Sequence, residues 1–229
     1  MFTVLSERLA DTLNRLQNAA TEARRPVPAL VAVSKFQPAS AVAELADAGQ
    51  QVFGENYVQE AQAKLAELAR PNLTWHLIGH LQSNKAAVAA DLFDWVQTVD
   101  RAKLVTALAD ARATTRAPLN VLIQVNIDDE SSKHGCAPDE VEALATLIAA
   151  RPTLALRGLM AIPAPHEDPA LRRAAFAKMK ALFDTLAAAH PGVDTLSMGM
   201  SDDCALAVAE GATMVRVGTA LFGARPAKG

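Results

Sequence analysis

The chain has 229 residues, of which 51% are hydrophobic, and no long polar tract, so it can bury a large core as one α/β barrel or as two small domains. We therefore expect an ordinary soluble protein. Its 22 basic and 25 acidic residues give a formal net charge of −3, which offers no general attraction for nucleic acid or an anionic membrane. This balance favours a small molecule as the partner.

Cysteine usage and the N-terminus narrow the class further. Cys136 and Cys204 are far apart and outside any C-x-x-C spacing, so they predict neither a disulfide framework nor a thiolate zinc site. A reducing cytoplasm fits such a chain. The N-terminus lacks both a basic n-region and an uninterrupted apolar h-region, and no segment approaches the length of a membrane span. We therefore expect neither a signal peptide nor a membrane partner.

Apolar runs of strand length alternate with segments of helical periodicity along the chain. A helix from Thr3 to about Ala23 comes first. The predicted strands are Leu30 to Lys35, QVFGEN, LTWHLIG, FDWVQTVD, LNVLIQVNI, LALRGLMAI, TLSMGM and the first part of TMVRVGTALFG. The predicted helices are PASAVAELADAG, YVQEAQAKLAELAR, SNKAAVAADL, Arg101 to about Thr115, Val141 to Ala150, Leu171 to Ala189 and Asp202 to Glu210.

This alternation predicts parallel strands that are covered by helices on both faces. About eight strand-helix units in this length favour a single closed (β/α)8 barrel of the TIM type over residues 1–229, with residues 1–25 as an N-terminal helical extension. A doubly wound open sheet is the main alternative. However, no G-x-G-x-x-G turn follows the first strand, as a dinucleotide-binding fold of that kind requires.

Lys35 stands at the end of the apolar run LVAVSK, directly before a turn. It is either the first solvated residue after a strand or a desolvated, reactive amine at the mouth of a barrel. In this fold, chemistry gathers at the carboxyl ends of the strands, and residues two apart on a strand share a face. The barrel therefore predicts that Lys35, like Val33, points inward, and that Asn56 shares the inward face of Gly54.

The last strand and the two final loops carry further candidate residues. Arg216 faces inward if its neighbouring valines pack under helices. The loops MGMSDD and RVGTALFG follow the seventh and eighth strands, where barrels of this type often bind phosphate. Ser201, Gly218 and Thr219 would supply hydroxyl groups and close backbone approach. Plain helix-cap and turn roles remain the alternative, and the carboxylates of Asp202 and Asp203 must point away from a bound dianion.

Other conspicuous residues carry weaker signals. His76 and His80 are four apart on an extended strand, which does not suit a metal ion, so we expect no metal site. The two tryptophans are expected to pack. Tyr57 either reaches the site or packs at a helix start. The polar loop Asp128 to Gly135 is either a mobile lid or a simple connection.

Five long motifs resemble those of the YggS/PROSC family of pyridoxal 5′-phosphate homeostasis proteins. They are AVSKFQP, FGENYVQEAQAK, WHLIGHLQSNK, LRGLMAIPAP and LSMGMSDDCALAVAEGATMVRVGTALFGAR. The match runs from about Leu30 to Arg225, and the motifs are ordered and spread over most of the chain. Such agreement does not arise by chance.

The resemblance implies a monomeric or weakly associating barrel, related to the N-terminal domain of alanine racemase, that carries pyridoxal phosphate as a Schiff base on Lys35. It places Arg216 near the pyridine nitrogen and makes Asn56 a cofactor contact. An amine forms an imine only while unprotonated, and apolar surroundings favour that form. Proteins of this family are associated with control of cofactor supply and have no established catalytic reaction.

Three functions remain open at this level. The first is a carrier that holds the cofactor and releases it to apo-enzymes in transient encounters. The second is an amino-acid racemase or related enzyme, which needs an acid/base group opposite the lysine, conventionally a tyrosine from a separate β domain. Because the sequence ends at Gly229 soon after the last strand, we expect the carrier. The third is a phosphate-binding barrel enzyme in which Lys35 attacks a sugar aldehyde.

Overall fold

The structure is a computed structural model that describes residues 3–128, 134–164 and 168–223. The strands are β1 Ala29–Val33, β2 Val52–Glu55, β3 Thr74–Leu77, β4 Trp95–Val99, β5 Leu119–Val125, β6 Leu154–Ala161, β7 Thr195–Ser197 and β8 Met214–Val217. The helices are α1 Val4–Ala23, α2 Ala39–Asp47, α3 Val58–Leu68, α4 Ala86–Leu92, α5 Ala102–Ala111, α6 Val141–Ala149, α7 Pro169–Ala189, α8 Cys204–Ala209 and α9 Thr219–Phe222.

The eight strands form one closed parallel barrel in sequence order, and β8 pairs with β1 to complete it. In this register Val31 lies beside Arg216, and Gly54 lies beside Val33 and His76. The prediction of a (β/α)8 barrel is therefore confirmed. All carboxyl ends of the strands lie at one rim, so residues that follow different strands meet there.

The main apolar core lies between the outer faces of the strands and the covering helices. The largest side chains with almost no exposure include Phe53, Phe93, Phe176, Leu104 and Leu108. Inside the barrel, packing is equally close. A Cβ atom added to Gly54 would lie 2.9 Å from Val31 Cγ1 and 3.2 Å from Ile78 Cδ1. A glycine at this position therefore leaves room for the larger side chains of Val31 and Ile78 in the interior.

The predicted N-terminal helix is present as α1. Thr3 caps it through a reciprocal pair of bonds with Ser6, and the buried residues Leu9 and Leu16 lie on its apolar face. This helix packs against α2, α8 and α9, the helices that flank the first and last strands. None of the described helices combines the length and apolar character that crossing a membrane requires.

Several predicted elements end or begin elsewhere. The strand predicted to reach Lys35 ends at Val33. The helix predicted to reach Thr115 ends at Ala111, because the Arg112 side chain turns inward and donates to the carbonyls of Ala90 and Phe93. The helix predicted from Asp202 begins at Cys204. Ser201 therefore lies in a turn and not in the first turn of that helix.

Candidate functional site

A cavity of about 240 Å³ opens at the carboxyl end of the barrel. It lies somewhat below the ~300–1,000 Å³ typical of pockets for larger ligands, which suits a compound with a single ring. All six residues that the sequence predicted as cofactor contacts line it: Lys35, Asn56, Ser201, Arg216, Gly218 and Thr219. Five further residues that the sequence did not predict as cofactor contacts also line it: Val33, which was expected to point inward, Ile78, Ile162, Met200 and Asp202.

Lys35 and Asn56 enter the cavity from the ends of β1 and β2. Strand β1 ends at Val33, and because side chains alternate, Ser34 points outward to Glu55 while Lys35 lies on the cavity wall. Asn56 follows β2 in the same way. Lys35 is half-buried, so its surroundings lie between the two environments that the sequence left open.

Arg216 lies on β8 with 4% of its surface exposed. Its Nη1 donates to Ser197 Oγ at 2.7 Å, and its Nη2 donates to the carbonyl of Ala161 at 2.9 Å. Both acceptors are neutral. Burial lowers the pKa of the guanidinium to about 10, so it remains charged at neutral pH. A buried cation whose hydrogen-bond partners are neutral strongly favours an electron-rich acceptor in the cavity.

A chain of hydrogen bonds runs from Arg216 through the barrel interior. Ser197 Oγ donates to Gln97 Oε1 at 2.7 Å, and Gln97 Nε2 lies 2.8 Å from His76 Nδ1. Because the amide nitrogen can only donate, Nδ1 accepts and the imidazole is neutral. Burial favours this state by lowering the pKa of His76 to about 3. The imidazole also stacks on the indole of Trp95, with ring centroids 5.0 Å apart.

The phosphate candidates come from the last two loops. Gly199 has a φ of +92° and starts the turn that carries Ser201, while Gly218 precedes α9. Asp203 is not among the cavity-lining residues, and its Oδ1 accepts from the backbone N–H of Met200 at 2.6 Å. Asp202 lines the cavity, so the charge conflict foreseen from the sequence persists at this residue.

Tyr57 is 51% exposed, lies 5.7 Å from Phe36 between ring centroids and belongs to a neighbouring pocket. In the described part of the chain, the cavity lining thus contains no tyrosine. Both cysteines are buried free thiols. Of the polar loop Asp128 to Gly135, residues 129–133 lie outside the described residues, as does Arg225 at the end of the predicted match.

The structure separates His76 from His80 but brings His80, Asp100 and His134 together at the rim. Their ligand atoms lie within 4.8 Å of one another. However, the two imidazole rings stack with centroids 3.8 Å apart and planes 16° from parallel. A coordinated ion lies in the plane of each imidazole at about 2.0–2.1 Å from nitrogen, so one ion cannot satisfy both rings in this arrangement. Asp100 is also paired with Arg101 at 2.5 Å.

Known proteins resemble this chain over almost its whole length. The family profile "Alanine racemase, N-terminal domain" matches residues 6–226. The pyridoxal phosphate homeostasis protein of Pasteurella multocida is 50% identical over 227 residues, which cover 96% of this chain and 97% of the relative. The solved structure of PipY from Synechococcus elongatus with PLP bound is 39% identical, has a TM-score of 0.84, and is matched over 96% of this chain and 100% of PipY.

A more distant match shows the fold alone. Alanine racemase from Corynebacterium glutamicum is 19% identical with a TM-score of 0.65, and the match covers 98% of this chain and 62% of the racemase. High sequence identity together with nearly complete coverage of both chains is found with the homeostasis proteins and not with this racemase. The chain therefore belongs to the alanine racemase N-terminal domain family and, within it, to the pyridoxal phosphate homeostasis proteins.

Proposed function

We propose that this protein binds pyridoxal 5′-phosphate, holds it as a Schiff base on Lys35, and releases it to apo-enzymes in transient encounters. The observation that carries the proposal is the convergence of Lys35 and Arg216 on one small cavity whose rim is formed by the Ser201 and Gly218–Thr219 loops. Support for the ligand comes from the PLP-bound structure of PipY and from the name of the curated relatives.

The cavity residues fit this cofactor. The lining combines the permanent cation of Arg216 and the amine of Lys35 with one carboxylate, that of Asp202, and the hydroxyl groups of Ser201 and Thr219 lie in the same lining. The buried guanidinium, held by two neutral acceptors, suits a ring nitrogen that offers a lone pair. Hydroxyl groups and backbone amides of the last two loops suit phosphate oxygens. When bound, the cofactor supplies an electrophilic aldehyde that condenses with an amine.

Each residue then has a distinct task. Lys35 provides the amine. Arg216 orients the ring and brings a permanent cation to its nitrogen, which disfavours protonation there and weakens the cofactor as an electron sink. Ser201 and Thr219 bind the phosphate, and Asn56 contacts the ring from the β2 side. These roles suit storage and delivery of the cofactor better than carbanion chemistry.

The test combines spectroscopy with mapping of the modified lysine. The purified protein mixed with pyridoxal phosphate should show the visible absorbance of an internal imine, and Lys35→Ala should abolish it without a change in far-UV circular dichroism. Borohydride reduction followed by peptide mapping should place the label on Lys35. A label on Lys85 or Lys133 would reject the assignment. Lys103→Met, at an exposed residue of α5, serves as a matched control.

Release is tested separately. The loaded protein is mixed with an apo-enzyme whose activity depends on pyridoxal phosphate, in the presence and absence of a phosphatase that destroys free cofactor. Recovery of activity despite the phosphatase supports direct transfer. Recovery only without phosphatase shows release into solution, and no recovery in either case contradicts a carrier.

A further inference from the structure

A buried ion cluster lies on the outer face of β2, beneath α3. The Lys64 ammonium contacts Glu55 Oε1 at 2.6 Å, Glu60 Oε1 at 2.9 Å and the carbonyl oxygen of Ser34 at 2.7 Å. Lys64 is 6% exposed and Glu55 is fully buried. The three acceptors match the three N–H groups of an ammonium, so the side chain is held in one position.

This cluster contacts both residues that flank Lys35. On one side, Ser34 donates its hydroxyl to Glu55 Oε1 at 2.6 Å and accepts from Lys64 through its carbonyl. On the other side, the backbone N–H of Phe36 donates to Glu60 Oε1. These contacts fix the backbone on both sides of Lys35. The Lys35 side chain itself lies on the opposite face of the barrel wall, where it lines the cavity.

The contact with Glu60 stabilises an unusual backbone conformation at Phe36. Phe36 has a φ of +63°, a left-handed conformation that is uncommon for a bulky residue. Its backbone bond to Glu60 favours this conformation, and the Gln37 N–H closes the turn on the Ser34 carbonyl at 3.0 Å. Such conformations persist where the surrounding contacts over-determine them, and they concentrate at functional sites.

Folding stability alone does not explain why these buried charges are present. Glu55 Oε2 has no hydrogen-bond partner in the described part of the chain, and burial raises the pKa of this carboxyl against the lowering by Lys64 and Ser34. Desolvation of a buried ion pair often offsets its attraction, so apolar residues of similar volume would serve packing equally well. A role in placing Lys35 accounts for the charges where stability does not.

We propose that Glu55, Glu60 and Lys64 form a positioning cluster that sets the backbone of residues 34–37 and so holds the Lys35 amine over the cofactor cavity. The inference rests on the proposed function, because it concerns the reaction of that amine with an aldehyde. These three are positioning residues, since none of them lines the cavity. The cluster acts on Lys35 through its contacts with Ser34 and Phe36, the residues on either side of it.

The experiment separates placement of the amine from integrity of the cavity. Lys64→Met removes all three ammonium contacts, and Lys103→Met is the matched control. Stopped-flow absorbance gives the rate of imine formation with pyridoxal phosphate, and calorimetry gives the affinity for pyridoxamine 5′-phosphate, which lacks the aldehyde. We expect imine formation to slow by roughly 10–100-fold, the scale of an effect from an amine displaced by about 1 Å. The affinity for pyridoxamine phosphate should be unchanged.

A second pair of variants, at Glu60, keeps the proposal testable if Lys64→Met fails to fold. Glu60 is only partly buried, so its replacement disturbs the core little. Glu60→Gln keeps an oxygen that accepts from the Phe36 N–H and should retain the wild-type rate, whereas Glu60→Ala should slow imine formation as Lys64→Met does. Wild-type rates in both Lys64→Met and Glu60→Ala would overturn the proposal. Parallel loss of imine formation and pyridoxamine phosphate affinity would also overturn it, in favour of a purely structural role.

Failure of the proposed function can be distinguished from failure of the positioning proposal. If the wild-type protein forms no imine, the carrier proposal fails, and placement of the amine is then measured without cofactor. Mass spectrometry of limited reductive methylation gives the rate at Lys35 relative to the exposed Lys103 in the same molecule. The cluster predicts that this ratio changes several-fold in Lys64→Met and Glu60→Ala but not in Glu60→Gln. An unchanged ratio in all three variants contradicts positioning.

Discussion

His76 provides a sharp prediction, because its imidazole is almost fully buried and its protonation is coupled to folding. Burial lowers its pKa from 6.5 to about 3 in the folded protein. The unfolded chain therefore binds the proton first, and the stability that comes from a neutral His76 is complete above about pH 6.5 and is lost as the pH falls toward 3. The same proton would also break the bond that His76 Nδ1 accepts from Gln97.

The magnitude follows from the two pKa values. At about 1.36 kcal/mol per pKa unit, the whole effect is about 5 kcal/mol, of which about 2.7 kcal/mol is expressed between roughly pH 7.5 and 4.5. His76→Gln keeps an oxygen that accepts from Gln97 but does not titrate. As the pH falls through this range, the wild-type protein should therefore lose about 2.7 kcal/mol more unfolding free energy than the variant does.

Urea unfolding at a series of pH values measures this difference. Carboxylates and the other histidines titrate in both proteins, so their contributions cancel in the comparison. The difference should be flat above about pH 7, which serves as an internal control. A difference that stays constant down to about pH 4.5 would refute the reasoning, because it would mean that His76 protonates equally well in the folded protein. The ring-proton NMR shift of His76 gives an independent reading.

Four further predictions concern the cavity and the hydrogen-bond chain behind Arg216. In calorimetry, pyridoxal without its phosphate should bind far more weakly than pyridoxal phosphate, and equal affinities for the two ligands would reject the phosphate site. Asp202→Asn should tighten binding of the phosphate form by about 2–5-fold, which is the scale of one partly solvated charge. Ser197→Ala leaves Gln97 Oε1 without its donor and Arg216 Nη1 without its acceptor, so urea unfolding should show a loss of at least about 1–3 kcal/mol. Wild-type stability would contradict the hydrogen-bond chain. With L-alanine in deuterated water, the loaded protein should give no sustained D-alanine by chiral chromatography; formation that Lys35→Ala removes and Tyr57→Phe reduces would favour a racemase.

The barrel and the position of the six candidate residues at its cavity were predictable because their signals are local. Alternating apolar runs indicate strands, and the two-residue period of a strand decides that Lys35 and Asn56 face inward once a barrel is assumed. The family motifs covered the same residues. Helix ends were less predictable: α5 stops at Ala111 because the Arg112 side chain bonds to the carbonyls of Ala90 and Phe93, which are remote in sequence.

The hydrogen-bond chain was not predictable in the same way. Its members come from β3, β4, β7 and β8, and each one looks like an isolated polar residue in an apolar strand. Gln97 and Ser197 are 100 residues apart in sequence, yet 2.7 Å separates their side-chain oxygens. A polar residue on the inward face of a strand is the available signal, because a buried polar group needs a partner inside the barrel. The sequence does not say which partner it finds.

The chain of neutral groups behind Arg216 bears directly on the protonation state of the ring nitrogen of a bound cofactor. Ser197, Gln97 and His76 link to the guanidinium in series, and the low pKa of His76 keeps the last of them neutral far below physiological pH. On the proposed function, Arg216 therefore presents a fixed cation to the ring nitrogen, and its hydrogen-bond partners in the described structure offer that nitrogen no acidic proton. A carboxylate in this place would stabilise a protonated ring nitrogen and a strong electron sink, whereas a buried guanidinium on a neutral chain favours an unprotonated ring nitrogen and a weaker one.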